Sequence, residues 1–212
     1  MNSAQLYPKI CEILSQPLPG EEAQLRMAPI GRRAAFLQPD NPPRKAAVLV
    51  PIYFNHFNEP CILLTLRKVY DGVHSGQVSF PGGKFDPGES DPVQVALRET
   101  FEEVGVAEHE IRVAGVMSPL YIPPSNIMVF PVVGIMPEEP KWKPDPHEVE
   151  LLIHEPLIPW LREQQIAETA HKVAPGLAIS APYYDIQQHR VWGATAMMLS
   201  EFAEILKRVG LP

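Results

Sequence analysis

The sequence predicts an α/β protein of the mixed α+β kind: an α/β/α sandwich in which a mixed β-sheet lies between helices. Three observations carry that expectation. Short runs rich in Val and Ile are interspersed with amphipathic stretches of helical period, without regular alternation, which favours a mixed sheet covered by helices on both faces. The chain has 212 residues, 45% hydrophobic and 20% charged, enough to bury one full core and carry short appendages. Proline, at 25 residues, is too dense for helix interiors or central strands, so turns and irregular loops must be abundant. The prolines form no periodic repeat, and no solenoid is expected.

Residues 1–20 open with an amphipathic helix on which Leu6, Ile10, Ile13 and Leu14 recur at helical spacing, stopped by Pro17 to Gly20. Residues 21–45 hold Arg32, Arg33, Pro39, Pro42 and Pro43 without periodicity and read as an extended arm. Ala46–Phe54 reads as a buried strand, in which Pro51 predicts a bulge or an early end of pairing. After a turn at Asn55–Glu59, strands are predicted over Cys61–Leu66 and Gln77–Phe80, the second running into Pro81-Gly82-Gly83. The strongest helix signal follows at Pro92–Val104. Strands come next at Ile111–Met117 and Met128–Ile135, with the proline-rich turns Pro123-Pro124 and Pro137–Pro146 around the second. A short strand at Glu148–Ile153, a helix over Leu157–Ala167 and a strand at Tyr183–Trp192 complete the middle of the chain. Thr195–Val209 closes it as a helix with Ala196, Leu199, Phe202, Ala203 and Leu206 on one face.

Composition excludes several function classes. Eighteen Lys and Arg against 25 Asp and Glu give a formal charge of −7, which argues against a nucleic-acid partner. A phosphate ester would need its charge neutralised locally, most simply by a metal ion. Cys11 and Cys61 are far apart and form no CxxC pair, so neither a disulfide framework nor a zinc site is indicated. No stretch reaches about 18 apolar residues, and Met1 to Gly20 lacks the basic flank of a secretory signal, so a cytoplasmic protein with no membrane partner is expected. His147 and His154 lack the spacing of a zinc helix and receive no role.

The helix Pro92–Val104 is bounded by its own sequence: Asp91 is placed as N-cap, Pro92 takes the first helical position, and Gly105 is the natural stop. At about 100° per residue, Val93, Ala96, Leu97, Thr100, Phe101 and Val104 form an apolar stripe, and Glu99, Glu102 and Glu103 gather on the other side. An arbitrary Glu-x-x-Glu-Glu is usually a solvated acidic face. Here two glycines, Gly82 and Gly83, sit just upstream where backbone can approach a ligand closely, and Arg98 can hold a carboxylate through a two-point bond. Three converging carboxylates are acceptor-only groups suited to a hard divalent cation.

Gly83, Glu89, Arg98, Glu99, Glu102, Glu103, Gly105 and Val106 resemble the Nudix hydrolase box, G-x5-E-x7-R-E-U-x-E-E-x-G-U with U a bulky aliphatic residue. Thr100 stands at an aliphatic position, and eight residues rather than seven separate Glu89 from Arg98. The longer spacing is similar to that of the coenzyme A diphosphatase branch. So is the upstream run Leu63-Leu64-Thr65, Arg67, Gly76 and Phe80-Pro81-Gly82-Gly83, although Lys68 replaces a small residue and Gly72 replaces a second Arg. Further likeness at Ala47–Val50, Pro131–Gly134, Glu148-Val149 and Val191–Ala196 extends the resemblance over about residues 45–209. It implies a Nudix α/β/α domain over 45–212, preceded by an N-terminal helix and arm over 1–44.

The resemblance implies hydrolysis of a diphosphate bond with Mg²⁺ or Mn²⁺, which neutralises phosphate charge and acidifies a water molecule. Glu102 and Glu103 are the implied metal ligands, with Glu99 a ligand or the base. Arg98 orients a carboxylate, Glu89 stands outside the direct ligands of the metal, and Gly82 and Gly83 turn backbone toward metal or phosphate. Glu148 is either a further carboxylate, ligand or base, or a surface turn residue. Arg67 and Lys68 either meet substrate phosphates or are surface cations. The expected partner is a small nucleotide, coenzyme A or its thioesters first, ADP-ribose or another nucleoside diphosphate derivative as the alternative. A Nudix-like module that binds without hydrolysis is the third reading. A homodimer is compatible with the sequence.

Overall fold

The structure, a computed structural model, describes residues 1–29, 41–68, 76–164, 166–174 and 177–211. The readings of Arg32, Arg33, Pro39 and Gly72 fall outside these residues. The main sheet is built on two long strands, β1 (Arg44–Phe54) and β7 (Ile127–Met136), which run parallel from Arg44 opposite Ile127 to Tyr53 opposite Met136. Its other pairings are antiparallel. β2 (Pro60–Arg67) joins β1, β3 (Val78–Ser79) and β8 (Val149–Pro156), while β4 (Gly82–Lys84) pairs with the start of β1. β5 (Arg112–Val116) and β6 (Leu120–Ile122) both pair with β7. The sheet is therefore mixed.

Alternation along β1 divides the core between two faces, because successive side chains of a strand point to opposite sides. Ala47, Leu49 and Tyr53 pack with Val95, Ala96, Leu97 and Val104 of α3 (Pro92–Val104). Ala46, Val50, Ile52 and Phe54 face the other way, in a cluster with Leu6 and Ile10 of α1 (Ser3–Leu14) and the apolar face of α5 (Gly193–Val209). Ala196, Leu199, Phe202, Ala203 and Leu206 are all buried there, as are Met197 and Met198. Helices thus cover both faces. Glu201 of α5, fully buried, accepts hydrogen bonds from Gly20 N–H at 3.1 Å, Gln24 Nε2 at 2.8 Å and Ser118 N–H at 3.4 Å, tying the N-terminal segment to the core.

The structure corrects several local expectations. Pro51 causes neither a bulge nor an early end. Leu49, facing the same edge two residues earlier, donates to Pro81 O, and Pro51 falls in the gap where that edge of β1 passes from β4 to β2. The missing N–H is therefore not needed. Residues 20–27 are helical rather than extended, as α2 (Gly20–Gln24) and a 3-10 turn, Leu25–Met27. The helix expected over Leu157–Ala167 ends as α4 (Leu157–Arg162). Beyond it a separate antiparallel sheet forms from β9 (Ile166–Ala174), β10 (Leu177–Ile186) and β11 (His189–Trp192). Tyr183–Trp192 is accordingly two strands, broken at Gln187-Gln188, both with positive φ. No described helix is long and apolar enough to cross a membrane.

Candidate active site

α3 is fixed at both ends. Asp91 Oδ1 accepts the Val93 N–H at 2.9 Å, and Gly105 closes the helix at φ +75°, a left-handed conformation open to a residue without Cβ. The loop before β8 caps the final turn: Lys143 N–H donates to Val104 O and Asp145 N–H to Glu103 O, both at 2.9 Å. The buried arc is rotated from the expected stripe. Val95 and Glu103 are buried, whereas Phe101 is 57% exposed. Turning Phe101 outward carries Glu103, two residues on, into the protein.

Two arginines divide the carboxylates. Arg98 makes a two-point pair with Glu89 through Nε (2.9 Å) and Nη2 (3.1 Å), and Nη2 also donates to Lys84 O at 3.2 Å. Its Nη1 donates to Glu99 at 2.8 Å and to Glu102 at 3.3 Å. Arg67, at the end of β2, donates Nη1 to Glu103 at 3.2 Å and places Nη2 3.7 Å from Glu148. Arg67 is thus engaged by carboxylates in this state. Lys68 N–H donates to Glu148 O at 3.0 Å, joining the end of β2 to the start of β8 through backbone. Among the described residues, the Lys68 side chain makes no ion pair.

The two glycines act by close approach. A side chain at Gly82 would run into Ala47 O and Val48, and a Cβ on Gly83 would take the place of the Glu99 carboxylate. Glu99 therefore lies directly against the β4 backbone. Asp145, which sequence reasoning did not single out, organises the turn carrying Glu148. Its carbonyl accepts the N–H groups of Glu148 (3.2 Å) and Val149 (2.9 Å), and its Oδ1 accepts the His147 N–H at 2.8 Å. The Asp two residues ahead of His147 was the available signal for such a turn.

Burial pushes the Glu103 carboxyl up to about 7, reinforced by Glu148 and Glu99 and opposed by Arg67. Burial likewise raises Glu99, with Glu102 and Glu148 adding to the effect and Arg98 opposing it. Glu89 moves the other way, held down by its bonds to Arg98 and the Asp86 N–H. Glu99 and Glu103 each feel the neighbouring carboxylates, so the site carries excess negative charge despite its two arginines. As placed, no three His, Cys, Asp or Glu side chains among the described residues converge to enclose an ion. The donor set nevertheless fits a hard dication. It is all carboxylate oxygen, and Glu103 Oε2 is buried with no hydrogen-bond partner, a cost that an ion relieves.

The chain is similar to known proteins in sequence and in fold. The NUDIX domain family model matches residues 43–178, spanning the sheet, the box and the Glu148 turn. The human protein named mitochondrial coenzyme A diphosphatase NUDT8 is 39% identical over 163 residues, covering 76% of this chain and 68% of that protein. A protein of Photorhabdus laumondii named as the uncharacterized Nudix hydrolase NudL is 33% identical over 184 residues, 85% of this chain and 92% of its own. Among solved structures, the Nudix hydrolase RenU of M. smegmatis superposes with a TM-score of 0.55 at 14% identity, covering 80% of this chain and 88% of that one, a likeness of fold. The chain belongs to the Nudix family: it is a divalent-metal-dependent hydrolase that acts on the diphosphate bond of small nucleoside diphosphate derivatives.

Proposed function

We propose that the substrate is coenzyme A or an acyl-coenzyme A, cleaved by water to 3′,5′-ADP and 4′-phosphopantetheine or its acyl derivative. The observation that carries this reading is the junction at Arg67. The run Leu63-Leu64-Thr65-Leu66-Arg67 forms β2, Phe80-Pro81-Gly82-Gly83 leads through β4, and the two meet the carboxylate helix at Arg67–Glu103 and Gly83–Glu99. Residues that resemble the branch signature thus touch residues that resemble the Nudix box, which supports the reading. The similarity to the human coenzyme A diphosphatase supports the same substrate.

Glu99, Glu102 and Glu103 hold the ion, Mg²⁺ or Mn²⁺. When bound it neutralises phosphate charge and acidifies water. Glu148, half exposed beside Arg67, takes the proton of the attacking water. Arg98, fixed by Glu89, keeps Glu99 and Glu102 in place, and Gly83 lets Glu99 lie against β4. Arg67 and Lys68 supply positive charge toward substrate phosphates, and Gly82 keeps the strand beneath the site close to β1. Because phosphoryl transfer asks mainly for positioning and charge stabilisation, these roles suffice without a covalent nucleophile.

The test is product analysis after incubation with coenzyme A, ADP-ribose and a nucleotide sugar, each with Mg²⁺ or Mn²⁺. Release of 3′,5′-ADP from coenzyme A is expected. Survival of coenzyme A while ADP-ribose is consumed would replace the substrate and leave the family unchanged.

A further inference from the structure

We infer that Arg67 is an exchangeable counter-ion: without a divalent ion it holds Glu103 and Glu148, and when the ion binds it leaves Glu103 for a substrate phosphate. This rests on the reading of Glu99, Glu102 and Glu103 as the ion's ligands. The two arginines of the site are not equivalent. Arg98 has a fixed seat away from those ligands, formed by the two-point bond to Glu89 and the Lys84 carbonyl, and only its Nη1 reaches Glu99 and Glu102. Arg67 is described with Nη1 and Nη2 on Glu103 and Glu148 themselves, at 3.2 and 3.7 Å.

A dication entering the cluster takes the buried Glu103 carboxylate, whose Oε2 has no partner. A guanidinium on the same carboxylate would then face two like charges at contact distance in a partly desolvated site, where repulsion is much stronger than in water. Arg98 can give up one nitrogen's contacts and keep its seat. Arg67 must loosen its hold on Glu103, while retaining Glu148 as a pivot at the protein surface. Its side chain, 24% exposed, then turns toward the open side of the site, where a planar fork of donors matches a phosphate. Ion and phosphate therefore favour each other's binding, because the first releases the cation that the second requires.

The experiment uses the full chain and the metal alone. Calorimetric titration with Mn²⁺ at pH 8.5 first establishes that the ion binds; no binding to the folded wild type overturns the ligand reading and the exchange with it. Guanidinium ¹⁵N spectra are then followed through a Mg²⁺ titration, with Arg67→Lys identifying the Arg67 signals. The Arg67 Nη signals, kept distinct by hindered rotation in the ion pair, are expected to coalesce at saturation while those of Arg98 stay distinct. Unchanged Arg67 signals at saturating Mg²⁺ overturn the exchange and leave the ion site standing. Arg67→Gln, which removes the competing charge, is expected to bind Mn²⁺ on the order of 10-fold more tightly. Equal or weaker binding by the folded variant counts against the exchange, and the wild-type spectra decide the matter if that variant does not fold.

Discussion

Replacing Glu103 by Gln should make the metal-free protein more stable and the enzyme nearly inactive. The carboxyl sits at about 7 in the folded chain against an ordinary value near 4.3 for an exposed Glu. Between those values the folded state keeps a proton that the unfolded state has lost. The contribution of Glu103 to stability is therefore greatest below about pH 4.5, declines as pH rises, and levels off above about pH 7. The ionised side chain then costs about 4 kcal/mol, an upper figure set by burial and the neighbouring carboxylates. Gln has the same shape and no charge, so Glu103→Gln escapes that cost. In EDTA at pH 8.5 the variant should melt roughly 8–16 °C above wild type, given about 2–4 °C per kcal/mol at this chain length. At pH 4.5 the two should coincide. Turnover should fall at least about 10²-fold, since a charged ligand is gone. Paired melts at the two pH values with a turnover assay make the check. A stability difference independent of pH, or full activity, would refute the argument.

Gly83→Ala puts a methyl where the Glu99 carboxylate lies; because that carboxylate is the far end of a flexible side chain, stability should change by less than about 1 kcal/mol. Turnover should still fall at least about 10-fold, and melts run beside steady-state kinetics separate the two. Asp145→Ala removes the acceptor for the His147 N–H and should lower kcat through misplacement of Glu148. Asp145→Asn, which keeps an acceptor oxygen, should restore most of it, and equal damage from both would assign the effect to charge. Glu201→Ala strands the donors of Gly20, Gln24 and Ser118 and should cost roughly 3 kcal/mol in denaturant unfolding, with KM within twofold of wild type.

The elements that sequence made legible are those whose signals are local. α3 runs from Pro92 to Val104, as its cap residues require, and β1, β2 and β7 carry continuous buried runs. β9 begins Ile166-Ala167-Glu168, all exposed, so its start offers no alternation of buried and exposed residues to announce it. α2 is five residues long and depends on Glu201, whose bond to Gln24 spans 177 residues of sequence. Glu99, Glu102 and Glu103 could be picked out as candidates because they share one helix and resemble a family motif. The hold of Arg67 on Glu103 was not, because it closes across 36 residues between a strand and a helix. The exposure of Phe101 was missed for a related reason: helical periodicity treats the apolar stripe as the buried one, and here a carboxylate has taken its place.

The bond from Asp145 to the last turn of α3 has a further consequence. Through it, Glu103 and Glu148 are linked by a span of backbone that bypasses the forty-odd residues of chain between them. Spacing within 145–148 is therefore a fixed gauge, and a single inserted codon there would put the outer carboxylate out of step with the inner one. The exposed hairpin tip at His56-Phe57-Asn58 is under no such gauge. Length variation in this enzyme should be survivable at that tip and lethal to catalysis within the gauge, even where each inserted residue leaves the overall architecture intact.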